Sequence, residues 1–291
     1  GNAKRFTGNA WKHGICPDKQ AKRNRKKAEK IQQTNTDKQD CKKRGKIALN
    51  IPKNHPRAES LNQRKMLEQG LKEGITVPAG LIAFGRGEAL DYLLGEKTTT
   101  AARKAITAAA AMMMLSKKPI LSVNGNTAAI AAKEIAQLSK TLNALVEVNI
   151  FYPPKKRRKL IAHKMKKFGV NALGTEPAKK IPGLSSSRSL VDKKGIWSAD
   201  TVLLAIEDGD RTEALKKNGK KVIAIDLNPK SRTAKKADIT IVDNALRAYP
   251  LLAKEAKRLQ NKTTAKLKKI VEKFDNRKNL TESLAAIKRG A

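Results

Sequence analysis

The strongest constraint on this chain is an alternation that runs from residue 119 to residue 259. Residues 119–123, 145–151, 201–206, 222–225 and 239–242 are short apolar runs without strict two-residue periodicity. Between and after them, residues 127–142, 154–168, 212–217 and 246–259 place apolar side chains at helical spacing, the third of these closed by Gly219. A strand apolar on both faces must be covered on both faces, and a parallel connection needs a crossover about as long as a helix. The pattern predicts an α/β fold, a Rossmann-like three-layer sandwich around a mostly parallel sheet. Residues 170–173 read as a short edge-like element.

Upstream, residues 57–118 predict a helical N-terminal part. Leu61, Met66, Leu67 and Leu71 share one helix face over residues 60–72, and Ser60 with Gln63 has capping-box spacing. Residues 81–84, the sequence Gly85-Arg86-Gly87-Glu88 and residues 89–94 predict a short apolar segment, a tight glycine turn and a helix. Residues 99–116 predict a longer helix rich in alanine and methionine. Its apolar stretch is too short to span a bilayer and reads as core, with an interface between copies as the alternative. At the other end, Leu267, Ile270, Val271 and Phe274 predict a basic helix or helix pair. The expected division is a flexible basic tail over residues 1–46, a main body over 47–261 (helical 57–118, layered 119–261) and a basic C-terminal helix over 262–291.

Charge narrows the choice of partners less than its size suggests. The formal net charge is +37, from 63 Lys/Arg against 26 Asp/Glu. Residues 1–46 hold 15 Lys/Arg and 4 Asp/Glu, so most of the excess lies elsewhere and the basic bias is global. It reads either as a surface habit of the whole chain or as a footprint for a polyanion, with the tails the stronger candidates for nucleic acid. Aromatic residues are only 3%, which leaves little material for stacking bases. Cys16 and Cys41 do not form a disulfide framework, and a reducing cytoplasm fits them. His13 with Cys16 and Cys41 lacks the second ligand pair of a structural zinc site. No stretch resembles a signal peptide, and no membrane role is expected.

Ligands of open α/β sheets sit beyond the carboxyl ends of the strands, so the polar residues after each apolar run carry the functional reading. Asn124-Gly125-Asn126 follows the first run; it is an anion site at a helix start or an Asn-Gly turn capped by Asn126. Glu207-Asp208-Gly209-Asp210-Arg211-Thr212 packs three carboxylates and an arginine around one glycine. Such carboxylates can hold Mg²⁺, and the guanidinium can grip phosphate or carboxylate, although a solvated acidic turn looks the same. Asp226-Leu227-Asn228 can accept ribose hydroxyls, and Arg232 with Thr233 can bind phosphate oxygens. Asp243-Asn244 borders the same crevice. His55 and His163 are isolated, and no Ser/His/Asp or Cys/His set is present. Walker A, HExxH and GxSxG motifs are absent.

Taken in order, Ile51-Pro52-Lys53-Asn54-His55-Pro56-Arg57, the run from Gly80 through Gly85-Arg86-Gly87-Glu88 to Glu96, Ser122 to Asn126, Glu207 to Leu215 and Val222 to Ala234 resemble the archaeal 4-phosphopantoate:beta-alanine ligases, or phosphopantothenate synthetases. The resemblance spans about residues 51–252. Asn54, Ala58, Gln63 and Phe84 depart from it. It implies a homodimeric, ATP-dependent ligase of coenzyme A biosynthesis that joins 4-phosphopantoate to beta-alanine through an acyl-adenylate, releasing AMP and pyrophosphate. It also implies ATP contacts at Arg64, Arg86, Asp226, Leu227, Asn228, Arg232, Thr233, Asn244 and Ala245. Within that scheme Asp208 and Asp210 are expected to hold Mg²⁺ or beta-alanine; Arg86, Asp208, Asp210 and Arg211 form the catalytic set; and Asn124, Asn126, Arg57 and Arg211 meet phosphopantoate. The competing reading is a nucleic-acid-associated protein that keeps the fold as a basic scaffold.

Overall fold

The computed structural model describes residues 51, 52, 54–151 and 154–290. The expected basic tail, with His13, Cys16 and Cys41, lies outside the described residues. Residues from Pro56 onward make one compact unit. Three helices open it: α1 (Ala58–Lys72), α2 (Pro78–Leu93) and α3 (Thr100–Leu115). Then follow β1 (Pro119–Val123), α4 (Gly125–Leu142), β2 (Leu145–Val148) and α5 (Lys155–Lys166). A two-stranded hairpin, β3 (Lys179–Lys180) with β4 (Leu190–Val191), precedes β5 (Thr201–Ala205) and α6 (Gly209–Lys217). The chain continues through β6 (Lys221–Ile225), α7 (Arg232–Lys236), β7 (Ile239–Ile241), α8 (Ala245–Leu259), α9 (Thr264–Glu272) and α10 (Asn276–Arg289). None of the described helices is long and apolar enough to cross a membrane.

The main sheet is parallel throughout, with strand order β2-β1-β5-β6-β7. Alternate side chains of each strand feed two separate cores. Leu121, Val123, Leu203, Ala205, Ile223 and Ile225 face one cluster, which α3, α4 and α8 cover. Ile120, Val202, Leu204, Val222 and Ala224 face the other, with Ala214 and Leu215 of α6. Both faces are therefore apolar, which is why the strands read as runs and not as alternating patterns. The alanines of α3 are buried from Ala101 to Ala111, and their small side chains let α8 and α9 pack closely against them.

Some local expectations fail for identifiable reasons. The glycine turn at residues 85–88 is absent; α2 runs unbroken from Pro78 to Leu93, started by proline at its first turn. Neither Gly85 nor Gly87 has a positive φ. A Cβ at Gly87 would stand 3.4 Å from Leu227 Cδ1, so that glycine permits close packing instead of a turn. The Ser60–Gln63 capping box is also absent. The helix begins at Ala58, Ser60 Oγ donates to the Arg57 carbonyl at 3.3 Å, and Gln63 accepts from Asn244 at 2.9 Å. Asn124, not Asn126, caps α4: its carboxamide oxygen accepts the Thr127 N–H, and Thr127 Oγ1 accepts the Asn124 N–H, both at 3.0 Å. Residues 170–173 contribute a single bridge, Leu173 to Glu147. The basic C-terminal stretch is a helix pair.

Candidate active site

The strand order places neighbours on opposite sides of β1, so the chain leaves β1 and β5 in opposite directions and opens a crevice between their carboxyl ends. Asn124 bridges that gap. Its Nδ2 donates to the carbonyl of Ala205 at 2.8 Å and of Ile206 at 3.2 Å. Ile206 has φ +53°, a left-handed conformation that costs a β-branched residue on the order of 1–3 kcal/mol. The strained residue stands on the rim of the crevice, where Glu207 and Asp208 follow.

Two clefts flank this rim, each of about 270 Å³. The first lies between α2, represented by Phe84, Gly87 and Leu90, and the ends of β5, β6 and β7. Asp226, Leu227 and Asn228 line it on one side and Asp243, Asn244 and Ala245 on another. Asp226 receives the Asn228 N–H at 2.9 Å and the Ser231 hydroxyl, while burial pushes its carboxyl above the ordinary range. Asn244 caps α8 by accepting the Leu246 N–H at 3.0 Å, and its Nδ2 donates to Asp91 at 3.0 Å. Arg247 pairs with both Asp91 and Asp243.

The second cleft opens at the start of α4, which kinks at Ala131 (φ −138°, ψ 26°); N–H groups at a helix start favour anions. Arg86, Arg157 and Arg188 line it together with Asn124 and Asn126. Arg157 is anchored by Nε donating to the Ile75 carbonyl at 2.8 Å. Burial, and then the neighbouring Arg188 guanidinium, disfavour its charged form, a penalty that an anion between the two would relieve. Asn126 donates to the Gly80 carbonyl at 2.7 Å and hydrogen-bonds Thr76, so its amide shapes the wall. Gly125 is obligatory: a Cβ there would lie 2.3 Å from the Ile75 carbonyl oxygen and 2.6 Å from Arg157 Nη2.

Arg86 and Asp208 belong to both clefts. Arg86 is exposed and forms no ion pair among the described residues. Asp208 also lines a third recess with Ser186, Asp210 and Arg232. Burial raises the Asp208 carboxyl above its usual range, partly offset by Arg188, whose Nε stands 3.3 Å from Asp208 Oδ2.

The remaining sequence candidates fall elsewhere. Arg211 has a completely buried side chain that pairs with Glu207 and whose Nη2 donates to Ser122 Oγ at 3.1 Å; the residue borders the third recess but neither of the two clefts. Arg64 lines neither cleft, because its fork is held by Glu88 at 2.9–3.2 Å. Arg57 donates to the Tyr92 hydroxyl at 3.2 Å on the same outer side. Thr233 is buried and donates to the Glu207 carbonyl at 2.7 Å. Asp208 and Asp210 each face a guanidinium, Arg188 and Arg232 respectively. Among the described residues no three metal-ligating side chains converge, so a Mg²⁺ ion here would take one or two of these carboxylates and complete its shell with water and substrate phosphate oxygens. Sequence reasoning missed Arg157 and Arg188. The first lies in a run of Lys and Arg and the second in a short 3₁₀ turn, and neither has a local signal that separates it from surface charge.

Residues 101–290 match the family described as phosphopantothenate/pantothenate synthetase. A 4-phosphopantoate–beta-alanine ligase of Thermococcus kodakarensis is 49% identical over 242 residues, which is 82% of this chain and 93% of that protein. The ligase of the same name from Thermococcus onnurineus is 48% identical over the same shares. That of Methanosarcina mazei is 45% identical over 238 residues, 81% of this chain and 94% of that protein.

Proposed function

The chain belongs to the phosphopantothenate/pantothenate synthetase family, and from that membership we propose that it is an ATP-dependent ligase of coenzyme A biosynthesis, joining 4-phosphopantoate to beta-alanine. The competing reading as a nucleic-acid scaffold has no support from the relatives, which are ligases by name along most of the chain.

A carboxylate is a poor electrophile and must be activated. Its oxygen attacks the α-phosphorus of ATP, the bond to the bridging oxygen breaks, and pyrophosphate leaves with the electron pair. The amine of beta-alanine then attacks the acyl carbon of the mixed anhydride, loses a proton, and AMP departs. No side-chain nucleophile is required; the enzyme supplies orientation and charge. In this reading ATP occupies the first cleft, with ribose hydroxyls at Asp226 and further contacts from Leu227, Asn228, Asn244 and Ala245. The phosphate of 4-phosphopantoate sits at the start of α4, between Arg157 and Arg188. Beta-alanine enters through the third recess, its amine toward Asp208 and its carboxylate toward Arg232.

One observation carries the assignment: Arg86, a cation with no ion-pair partner among the described residues, lines both clefts where the α-phosphate and the attacking carboxylate must meet. Pairing of two copies is part of the same reading. Its support is the exposed apolar stripe Ile82, Ala89 and Leu93 on α2, with Ile82 68% exposed. The deciding experiment incubates the purified protein with ATP, 4-phosphopantoate and beta-alanine and measures AMP and 4′-phosphopantothenate. Both should form, and neither when one substrate is omitted. AMP production indifferent to 4-phosphopantoate would overturn the reading.

A further inference from the structure

Beneath the crevice, on the sheet face opposite α4 and α8, runs a row of buried charge. Glu147 on β2 and Ser122 on β1 are register partners. Ser122 Oγ accepts from Arg211, and Arg211 and Arg188 hold the two oxygens of Glu207. Glu147 and Arg211 are fully buried, and Arg188 is 8% exposed. Such a row is weak evidence for stability, because desolvating the charges offsets their attraction unless every group is paired. Here pairing is incomplete: Arg211 Nε has no hydrogen-bond acceptor among the described residues, and Arg188 Nε is held only by its 3.3 Å ion pair with Asp208.

What the row does determine is the setting of Arg188. Its backbone is fixed by Asn149 Nδ2, which donates to the carbonyls of Arg188 at 3.0 Å and Leu190 at 3.1 Å. The segment that follows is fixed by Glu147, whose carboxylate accepts the N–H groups of Asp192 at 3.0 Å and Ile196 at 2.6 Å. Its guanidinium is fixed by Glu207, itself immobilised from behind by Arg211. Only the Arg188 end of the row faces the second cleft.

We propose that Arg211 is a positioning residue for the ligation: through Glu207 it sets the direction of the Arg188 guanidinium, and Arg188 binds the phosphate of 4-phosphopantoate. The proposal rests on the assignment of 4-phosphopantoate to the second cleft. A lysine at position 211 keeps the charge but cannot present the planar fork that spans Glu207 and Ser122. Arg188 would then keep its charge and lose its aim.

The test measures AMP formation by the full-length protein, with 4-phosphopantoate varied at saturating ATP and beta-alanine, and then with ATP varied. Arg188→Ala should raise the KM for 4-phosphopantoate on the order of 100-fold and shift that for ATP less than about twofold. Arg211→Lys should raise the same KM on the order of tenfold with kcat changed less than about threefold. Because Arg211 acts through Arg188, the double variant should be no worse than Arg188→Ala alone. Ser122→Ala removes only the hydroxyl that orients Arg211; it should move the same KM in the same direction, and it decides the matter if Arg211→Lys does not fold. A KM effect of Arg188→Ala with none from Arg211→Lys or Ser122→Ala overturns the positioning role alone, as does a double variant in which the two effects multiply. An unchanged KM in Arg188→Ala overturns the assignment of the second cleft as well.

Discussion

Asn244 and Asp91, 153 positions apart in the chain, meet through a 3.0 Å hydrogen bond from the side-chain amide to a carboxylate oxygen. The contact ties the start of α8, at the floor of the first cleft, to α2, which carries Arg86. Arg247 completes the joint by pairing with Asp91 and Asp243, whose side chains are 5% and 0% exposed. Those carboxylates hold the Arg247 guanidinium more firmly charged than usual, against the opposing pull of burial.

Removing that guanidinium strands two buried carboxylates, a more costly change than deleting a surface ion pair. Arg247→Ala is therefore expected to lower the unfolding free energy by about 3–5 kcal/mol. Chemical denaturation at neutral pH checks it. A loss below about 1 kcal/mol would show that the joint does not hold α2.

Arg86 makes the opposite prediction. Its side chain is exposed and unpaired among the described residues, so Arg86→Ala should leave stability within about 0.5 kcal/mol of wild type. AMP formation should nevertheless fall on the order of 100-fold, because in the proposed reaction this cation faces the charge that develops during adenylation. Rates and thermal midpoints measured on the same preparation separate the two effects.

Glu147 gives a pH dependence. Burial lifts its carboxyl to about 7, and the two backbone donors and Arg211 offset only part of that rise. Between about pH 4.3 and 7 the folded chain keeps a proton that the unfolded chain has lost. The associated stability is therefore complete below the ordinary carboxyl range and disappears as pH rises through 7. Glu147→Gln lacks this titration. Between pH 5 and pH 8 wild type should lose about 2 kcal/mol relative to the variant, measured by urea unfolding at each pH. Parallel pH profiles for the two proteins would contradict the burial argument.

Two glycines should respond in opposite ways. At Gly85 no atom lies within 4 Å of a new Cβ, and the residue sits mid-helix, so Gly85→Ala should stabilise by about 0.5–1 kcal/mol. Gly125→Ala drives a methyl into the Ile75 carbonyl and Arg157; it should destabilise by about 1–3 kcal/mol and weaken 4-phosphopantoate binding. Thermal unfolding of both variants, with the KM of the second, checks the pair.

The layered architecture was legible because strands buried on both faces leave continuous apolar runs, and their spacing admits helical crossovers. Strand ends then pointed to Asp226, Asn244 and Asn124, all of which line the clefts. Other features were hidden for physical reasons. Gly85 and Gly87 together look like a turn, but Gly85 stands in open space mid-helix, and the reason for Gly87, close packing against Leu227, involves a residue far along the chain. Strands of two residues, such as β3 and β4, are too short to show a period. Arg157 and Arg188 are chemically indistinguishable from their basic surroundings until burial is known. The burial of Arg211 had a usable signal: it shares the inward phase of α6 with Ala214 and Leu215.

The common wall between the two clefts has a practical consequence for inhibitor design. A stable mimic of the mixed anhydride, with adenosine at one end and the phosphorylated acid at the other, would span Arg86 and occupy both recesses as a single molecule. Tethering raises the effective concentration of each half beside its own recess, so such a compound should bind far more tightly than either fragment. Its selectivity would come from the length of the bridge, which the width of the Ile206 rim dictates.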